Sequence, residues 1–182
     1  MAEAALAAPI KRLPVQNRRE PEPAPKAEPI KLTIRPAIQF DASAILVMLY
    51  EMHEETPLMM SKINPNKTMS RIISCITNGY VLIAEDEETK ELIGSVAIEA
   101  HPDWWGDDKH FGDLWYYVRS KFRRNTRAPV ELISSLKTAI DEVYPGAVLR
   151  MGVFYGKDVD RKDKFFTKHG FTKAGSFFVR GM

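Results

Sequence analysis

The chain has one cysteine, Cys75, in 182 residues. A disulfide framework and a cysteine-type zinc site are therefore excluded, and a reducing, cytoplasmic setting fits. No apolar run approaches the roughly 20 residues of a membrane-spanning helix, so no membrane partner is expected. The short Ala-rich opening has no preceding basic residue and makes a poor signal peptide. Glycine is missing before Gly79, and aromatics are missing from the first 30 positions, which hold six of the twelve prolines, seven alanines, five Lys/Arg and four Glu. Such a stretch has little apolar surface to set against the entropy of ordering its backbone. Residues 1–30 thus read as a disordered tail: a tether, an arm for a protein partner, or a dispensable extension. Residues 31–182 carry every aromatic and suffice for one domain with a sizeable core. Charge of one sign is also scarce, at a net +2. Binding of a polyanion over the whole surface is not implied, whereas a local anion site is compatible.

The pattern from residue 31 onward is that of a folded domain. Lys31 to Arg35 alternates and is stopped by Pro36, as a short strand does. Asp41 stands as an N-cap before Ala44, Ile45, Met48, Leu49 and Met52 at helical spacing. A second amphipathic helix starts near Asn66, with Met69, Ile72, Ile73 and Ile76 on one face, and Gly79 closes it in a left-handed conformation. Strands follow at Tyr80–Ala84, Glu91–Ala100 and Gly112–Val118, with 101–110 as a loop carrying Trp104 and Trp105. After the basic stretch Arg119–Arg127, Pro129 opens a long helix that runs to Val143. A strand at 148–153, a helix at 160–169 stopped by Gly170 and a strand at 177–179 complete the series. The order β α α β β β α β α β argues for an α/β (α+β) fold, a mixed sheet flanked by helices rather than a doubly wound parallel one.

The sharpest local feature is the succession of strand, basic loop and helix at 114–143. Five of the nine residues before Ala128 are Lys or Arg. A helix N-terminus adds unpaired N–H groups and the positive end of the dipole, which together suit a phosphate-bearing ligand. A solvated basic turn is the plainer alternative. The glycines and Gly-Lys-Ser/Thr ending of a Walker loop are absent. Nucleic acid is a weaker reading, because Asp107, Asp108 and Asp113 interrupt the basic surface it needs.

Two segments carry a family resemblance. Arg123-Arg124-Asn125-Thr126-Arg127-Ala128 resembles the Gln/Arg-x-x-Gly-x-Gly/Ala motif between the fourth strand and third helix of the GNAT superfamily of acetyl-CoA-dependent N-acetyltransferases. Lys164-Phe165-Phe166-Thr167-Lys168-His169-Gly170-Phe171 resembles that family's fYeklGF segment. The likeness spans about residues 32–182. It implies a mostly antiparallel mixed sheet, with acetyl-CoA as cosubstrate between two strands that splay apart. The pyrophosphate would rest on backbone N–H groups of Arg123, Arg124, Asn125, Thr126, Arg127 and Ala128. The pantetheine arm would run beside Tyr117 and Val118 like an added strand. An amine, on a small molecule or peptide, would attack the thioester directly, with an N–H near Val118 stabilising the oxyanion.

The resemblance also marks two departures. Thr126 stands where the family prefers glycine, and Phe166 where many members have a tyrosine that protonates the leaving thiolate. Tyr155, after the neighbouring strand, is the substitute donor; the alternative is that the CoA thiolate leaves unassisted. Glu99 and Asp113, at neighbouring strand ends, are the candidate bases, and each also reads as a solvated carboxylate. Tyr116 and Tyr117 point to opposite faces, so one of them faces the cleft. His101 and His110 with Asp103, Asp107 and Asp108 lack metal-ligand spacing, and no metal is expected. The alternative is a catalytically inactive GNAT-like structural or regulatory module, as in some phage proteins. A C-terminal strand at the sheet edge gives a homodimer a place to pair.

Overall fold

A computed structural model of the chain describes residues 30–56, 61–102, 106, 109–152 and 159–175. Five strands form one sheet in the order of the sequence: β1 (Leu32–Pro36), β2 (Tyr80–Asp86), β3 (Leu92–Pro102), β4 (Lys109–Val118) and β5 (Val148–Arg150). The first four pair antiparallel, and β5 lies parallel to β4. The helices are α1 (Ala42–Glu55), α2 (Pro65–Asn78), α3 (Ala128–Val143) and α4 (Val159–Lys168). The mixed sheet expected from the element order is the one that forms. The expected strand at 177–179 lies outside the described residues.

The sheet separates two apolar clusters. Ile45, Met48 and Leu49 of α1 and Ile72 of α2 pack with Val81, Ile83, Ala97, Trp115 and Tyr117 on one face. Leu132, Leu136 and Ile140 of α3 pack with Ile93, Val96, Ile98, Phe111 and Val118 on the other. Central β3 is buried on both faces from Leu92 to Ile98, as its continuous apolar run requires. Its one hydroxyl is satisfied: Ser95 Oγ donates to the Leu82 carbonyl (2.9 Å) and accepts from Trp115 Nε1 (3.2 Å).

Several local expectations change. Gly79 ends α2 in extended backbone (φ −128°) and not left-handed, whereas Gly170 after α4 does take φ +87°. The α2 N-cap is Asn64, whose side chain accepts from Lys67 N–H (3.0 Å), with Pro65 in the first turn. Asp41 takes the N-cap position of α1 but its side chain makes no capping bond there: the carboxylate accepts from Arg35 Nη1 and Nη2 (2.8 and 3.0 Å) and from Ile38 N–H (2.8 Å), fixing a 3-10 turn at Gln39–Asp41. His101 and His110 belong to paired strands, opposite each other, and not to a loop.

Candidate functional site

The β4–β5 ladder is short. His110, Phe111 and Gly112 pair with Val148, Leu149 and Arg150, and beyond Gly112 no pairing with β5 continues among the described residues. Asp113 sits at the point of separation, where its Oδ1 accepts the Gly152 N–H at 2.6 Å. A side chain thus takes over a bond that the ladder has ceased to supply. Burial pushes the Asp113 carboxyl up from its ordinary value, and the Gly152 N–H opposes that shift.

Just past this point β4 carries a bulge. Ile98 faces Asp113 and Ala97 faces Trp115, which leaves Leu114 as the extra residue. A bulge re-aims the strand and shifts its side-chain parity. Phe111 therefore joins the α3 face, Trp115 and Tyr117 the α1/α2 face, and Tyr116 and Val118 the α3 face again. Arg119 N–H donates to the Ile93 carbonyl at 3.0 Å, making these two a bonded pair. By antiparallel alternation Tyr117 and Trp115 also turn their peptide groups to β3. Tyr116 and Val118 therefore turn theirs to the opposite edge, which beyond Gly112 is open among the described residues.

The side chains around that edge are tightly held. Tyr116 donates its hydroxyl to the Pro129 carbonyl (2.7 Å) and lies between α3 and α4, its ring 5.9 Å from Phe166 and 6.4 Å from Phe165. Burial raises its pKa, so it remains a phenol at neutral pH. Tyr117 points to the opposite face and donates to Glu55 Oε1 at 2.7 Å; burial, then the neighbouring carboxylate, raises its pKa too. Phe166 is buried among Tyr116, Phe165 and Phe171 and brings no hydroxyl.

The loop after β4 uses much of its charge internally. Arg119 pairs with Glu51 (3.1 Å) and Glu91 (3.2 Å), Lys121 with Glu91 (2.7 Å), and Arg123 with Glu55 (2.5 Å). Arg127 lies 3.5 Å from Glu131, and Arg124 makes no ion pair among the described residues. Arg124 and Arg127, with Asn125 and Thr126, border an open depression of about 380 Å³ against Ile30 and Leu32 of the first strand region.

Thr126 shows what replaces the glycine. Its hydroxyl donates to the Phe122 carbonyl (2.9 Å) and accepts from Ala128 N–H (3.3 Å). Val130 and Glu131 N–H both donate to the Arg127 carbonyl at 2.9 Å, and Pro129 has no N–H. The first turn of α3 is thus largely satisfied from within. Among the described residues the loop amides left without a protein partner include those of Arg124 and Arg127.

The remaining candidates fall in different places. Glu99 lies on the α2 side of β3, ion-paired with Arg71 and 3.7 Å from His101 Nε2. Tyr155 lies outside the described residues, as do Asp103, Trp104, Trp105, Asp107 and Asp108. No group of three metal-ligating side chains comes together among the described residues. No helix among them is long and apolar enough to cross a membrane. Glu55 escaped the sequence reading because its role depends on α1 ending beside the end of β4 and the loop after it, which no local pattern announces.

No protein-family model matches the sequence, and no curated protein does. Solved structures do match. A predicted acetyltransferase from Clostridium acetobutylicum, determined with acetyl-CoA, superposes with a TM-score of 0.63 at 14% identity, over 83% of this chain and 96% of its own. Glucosamine-6-phosphate N-acetyltransferase from Arabidopsis thaliana gives 0.62 at 13% identity, over 83% and 98%. A GNAT family acetyltransferase from Staphylococcus aureus gives 0.56 at 14%, over 83% and 98%. The split between β4 and β5, the bulge and the basic loop before α3 thus stand in a chain that has the fold of the GNAT acetyltransferases.

Proposed function

We propose that the protein is an N-acetyltransferase that moves an acetyl group from acetyl-CoA to an amine by direct attack. The observation that carries this reading is the open edge of β4 running straight into a basic loop at the N-terminus of α3. An unpaired strand edge binds extended amide chains through main-chain hydrogen bonds, and the pantetheine arm is such a chain. Tyr116 and Val118 supply those peptide groups. Arg124 and Arg127 supply free amides and guanidinium groups for phosphate.

Acetyl-CoA, when bound, brings an activated thioester whose thiolate is a tolerable leaving group at neutral pH. An N–H near Val118 would stabilise negative charge on the carbonyl oxygen. Asp113 sits at the separation of the strands, whereas Glu99 lies one strand away on β3, ion-paired with Arg71; these are the proposed bases for the amine proton. Asp113 fits that role on its upward-shifted carboxyl. Tyr155 remains the proposed donor to the thiolate, because Phe166 has no proton to give.

The self-satisfied N-terminus of α3 favours a second reading, a non-catalytic module on the same fold. Release of free thiol from acetyl-CoA, measured against a panel of small amines and lysine peptides, separates the two. Sustained amine-dependent release establishes the enzyme. Absence of turnover in a protein that binds CoA leaves the module.

A further inference from the structure

We propose that Glu55, in the last turn of α1, holds Arg123 as an internal cap on the open edge of β4, and that this cap limits how tightly the edge takes an amide-bearing ligand. The inference rests on the acetyl-CoA reading above and adds a control to it. Its basis is one connected set of contacts. Arg123 Nε donates to the Val118 carbonyl at 2.6 Å, the carbonyl that alternation turns toward the open edge. Arg123 Nη2 donates to Glu55 Oε2 at 2.5 Å, and Glu55 Oε1 accepts the Tyr117 hydroxyl at 2.7 Å. The guanidinium lies 4.9 Å from the centre of the Tyr117 ring. Three anchors thus fix one side chain across the last acceptor of the strand.

The consequence follows from donor and acceptor counting. An extended ligand docks on a strand edge by giving its N–H groups to edge carbonyls and accepting edge N–H groups. Arg123 already fills the Val118 carbonyl with a charge-assisted bond, which is stronger than the neutral amide bond a ligand brings. The ligand must displace it or share the oxygen in poorer geometry. Glu55 decides how firmly Arg123 stays. Glu51, one turn earlier on α1, makes the matching pair with Arg119, yet the Arg119 peptide group faces β3 and its side chain touches no edge carbonyl. Glu51 is therefore the natural control.

The test uses the full chain with Glu55→Gln, Arg123→Gln and Glu51→Gln, each checked by thermal unfolding. Arg123 Nε–H is followed by nitrogen-15 NMR, and binding of CoA and of uncharged pantetheine by shifts of the Tyr116 and Val118 amides. We expect a slowly exchanging Arg123 Nε–H that becomes fast in Glu55→Gln. Pantetheine should bind about two- to tenfold tighter in Glu55→Gln and Arg123→Gln, and unchanged in Glu51→Gln. A gain for CoA without a gain for pantetheine would assign the effect to removal of negative charge and overturn the cap. So would an equal gain in Glu51→Gln, or no gain in either cap variant. If CoA binds the wild type but pantetheine affinity ignores Glu55, the cap is wrong and the acetyl-CoA reading stands. If no form binds CoA or pantetheine, the reading fails and the cap on that ligand fails with it.

Discussion

Thr126 is the residue at which sequence and chemistry meet most sharply. The missing glycine is visible in the string of letters, but its effect is not. The structure shows a hydroxyl that accepts from Ala128 N–H and ties back to the Phe122 carbonyl. It thereby consumes a donor that a phosphate would use. Thr126→Gly should cost only about 0.3 kcal/mol in urea unfolding, as glycine in place of a hydroxyl residue at a helix N-terminus usually does. The same change should strengthen CoA binding about two- to tenfold by calorimetry, because a free amide replaces a satisfied one. Asp113 gives a second prediction. Its folded carboxyl is shifted up by burial, so its contribution to stability is complete below the ordinary Asp range and is lost as pH rises through the raised folded value. Asp113→Asn keeps an acceptor for the Gly152 N–H and has no charge to bury. Its urea midpoint should therefore fall less than that of the wild type as pH rises from the ordinary Asp range through the raised folded value. An equal or larger fall in the variant would remove Asp113 as the source of that dependence.

At the scale of elements, the order of strands and helices was readable because the apolar spacing switches cleanly between two and 3.6 residues. The ends of elements were less so. Residues 101, 102, 109 and 110 are polar or proline yet belong to paired strands, since a cross-strand ladder needs main-chain partners and not apolar side chains. The bulge at Leu114 left no mark in the sequence, although it decides which face Tyr116 and Tyr117 take. Asp41 carried every sign of an N-cap, but Arg35, six residues earlier, took its carboxylate, and Arg35 Nη2 also reaches Glu85 at 2.8 Å. This cluster ties the turn before α1 to β1 and β2. Asp41→Ala should destabilise the fold by about 2 kcal/mol, since it removes the charge-assisted bonds to Arg35 and the acceptor of the Ile38 N–H while Arg35 keeps Glu85. Burial raises the Asp41 carboxyl, but Arg35 and the Ile38 N–H outweigh it and hold it below its usual value. That contribution is present above the ordinary Asp range and is lost as pH falls through the depressed folded value. Acid titration of the variant should accordingly show a smaller loss of stability than the wild type. Equal acid sensitivity would assign the loss to other carboxylates.

The whole molecule returns to the imbalance between the first 30 residues and the rest. Among the described residues, both apolar clusters are built from position 30 onward. A chain shortened to begin at residue 30 should unfold within about 2 °C of the full chain, the range expected when no packed group is lost; a larger drop would show that the opening stretch packs on the domain. Part of the candidate site was legible at this scale, because one basic loop follows one apolar strand and precedes one helix. The internal neutralisation of Arg119, Lys121 and Arg123 was not, since it depends on glutamates far away in sequence that the fold brings to the same end of the sheet. The central claim is that the edge of β4 and the loop together take acetyl-CoA. The direct measurement is a titration of the nitrogen-15-labelled protein with CoA, followed at the backbone amides. Saturable shifts at Tyr116, Val118, Arg124 and Arg127, with little change at β2, are the result expected. No shift at these amides at millimolar CoA, or shifts confined to residues away from β4 and the loop, would contradict it.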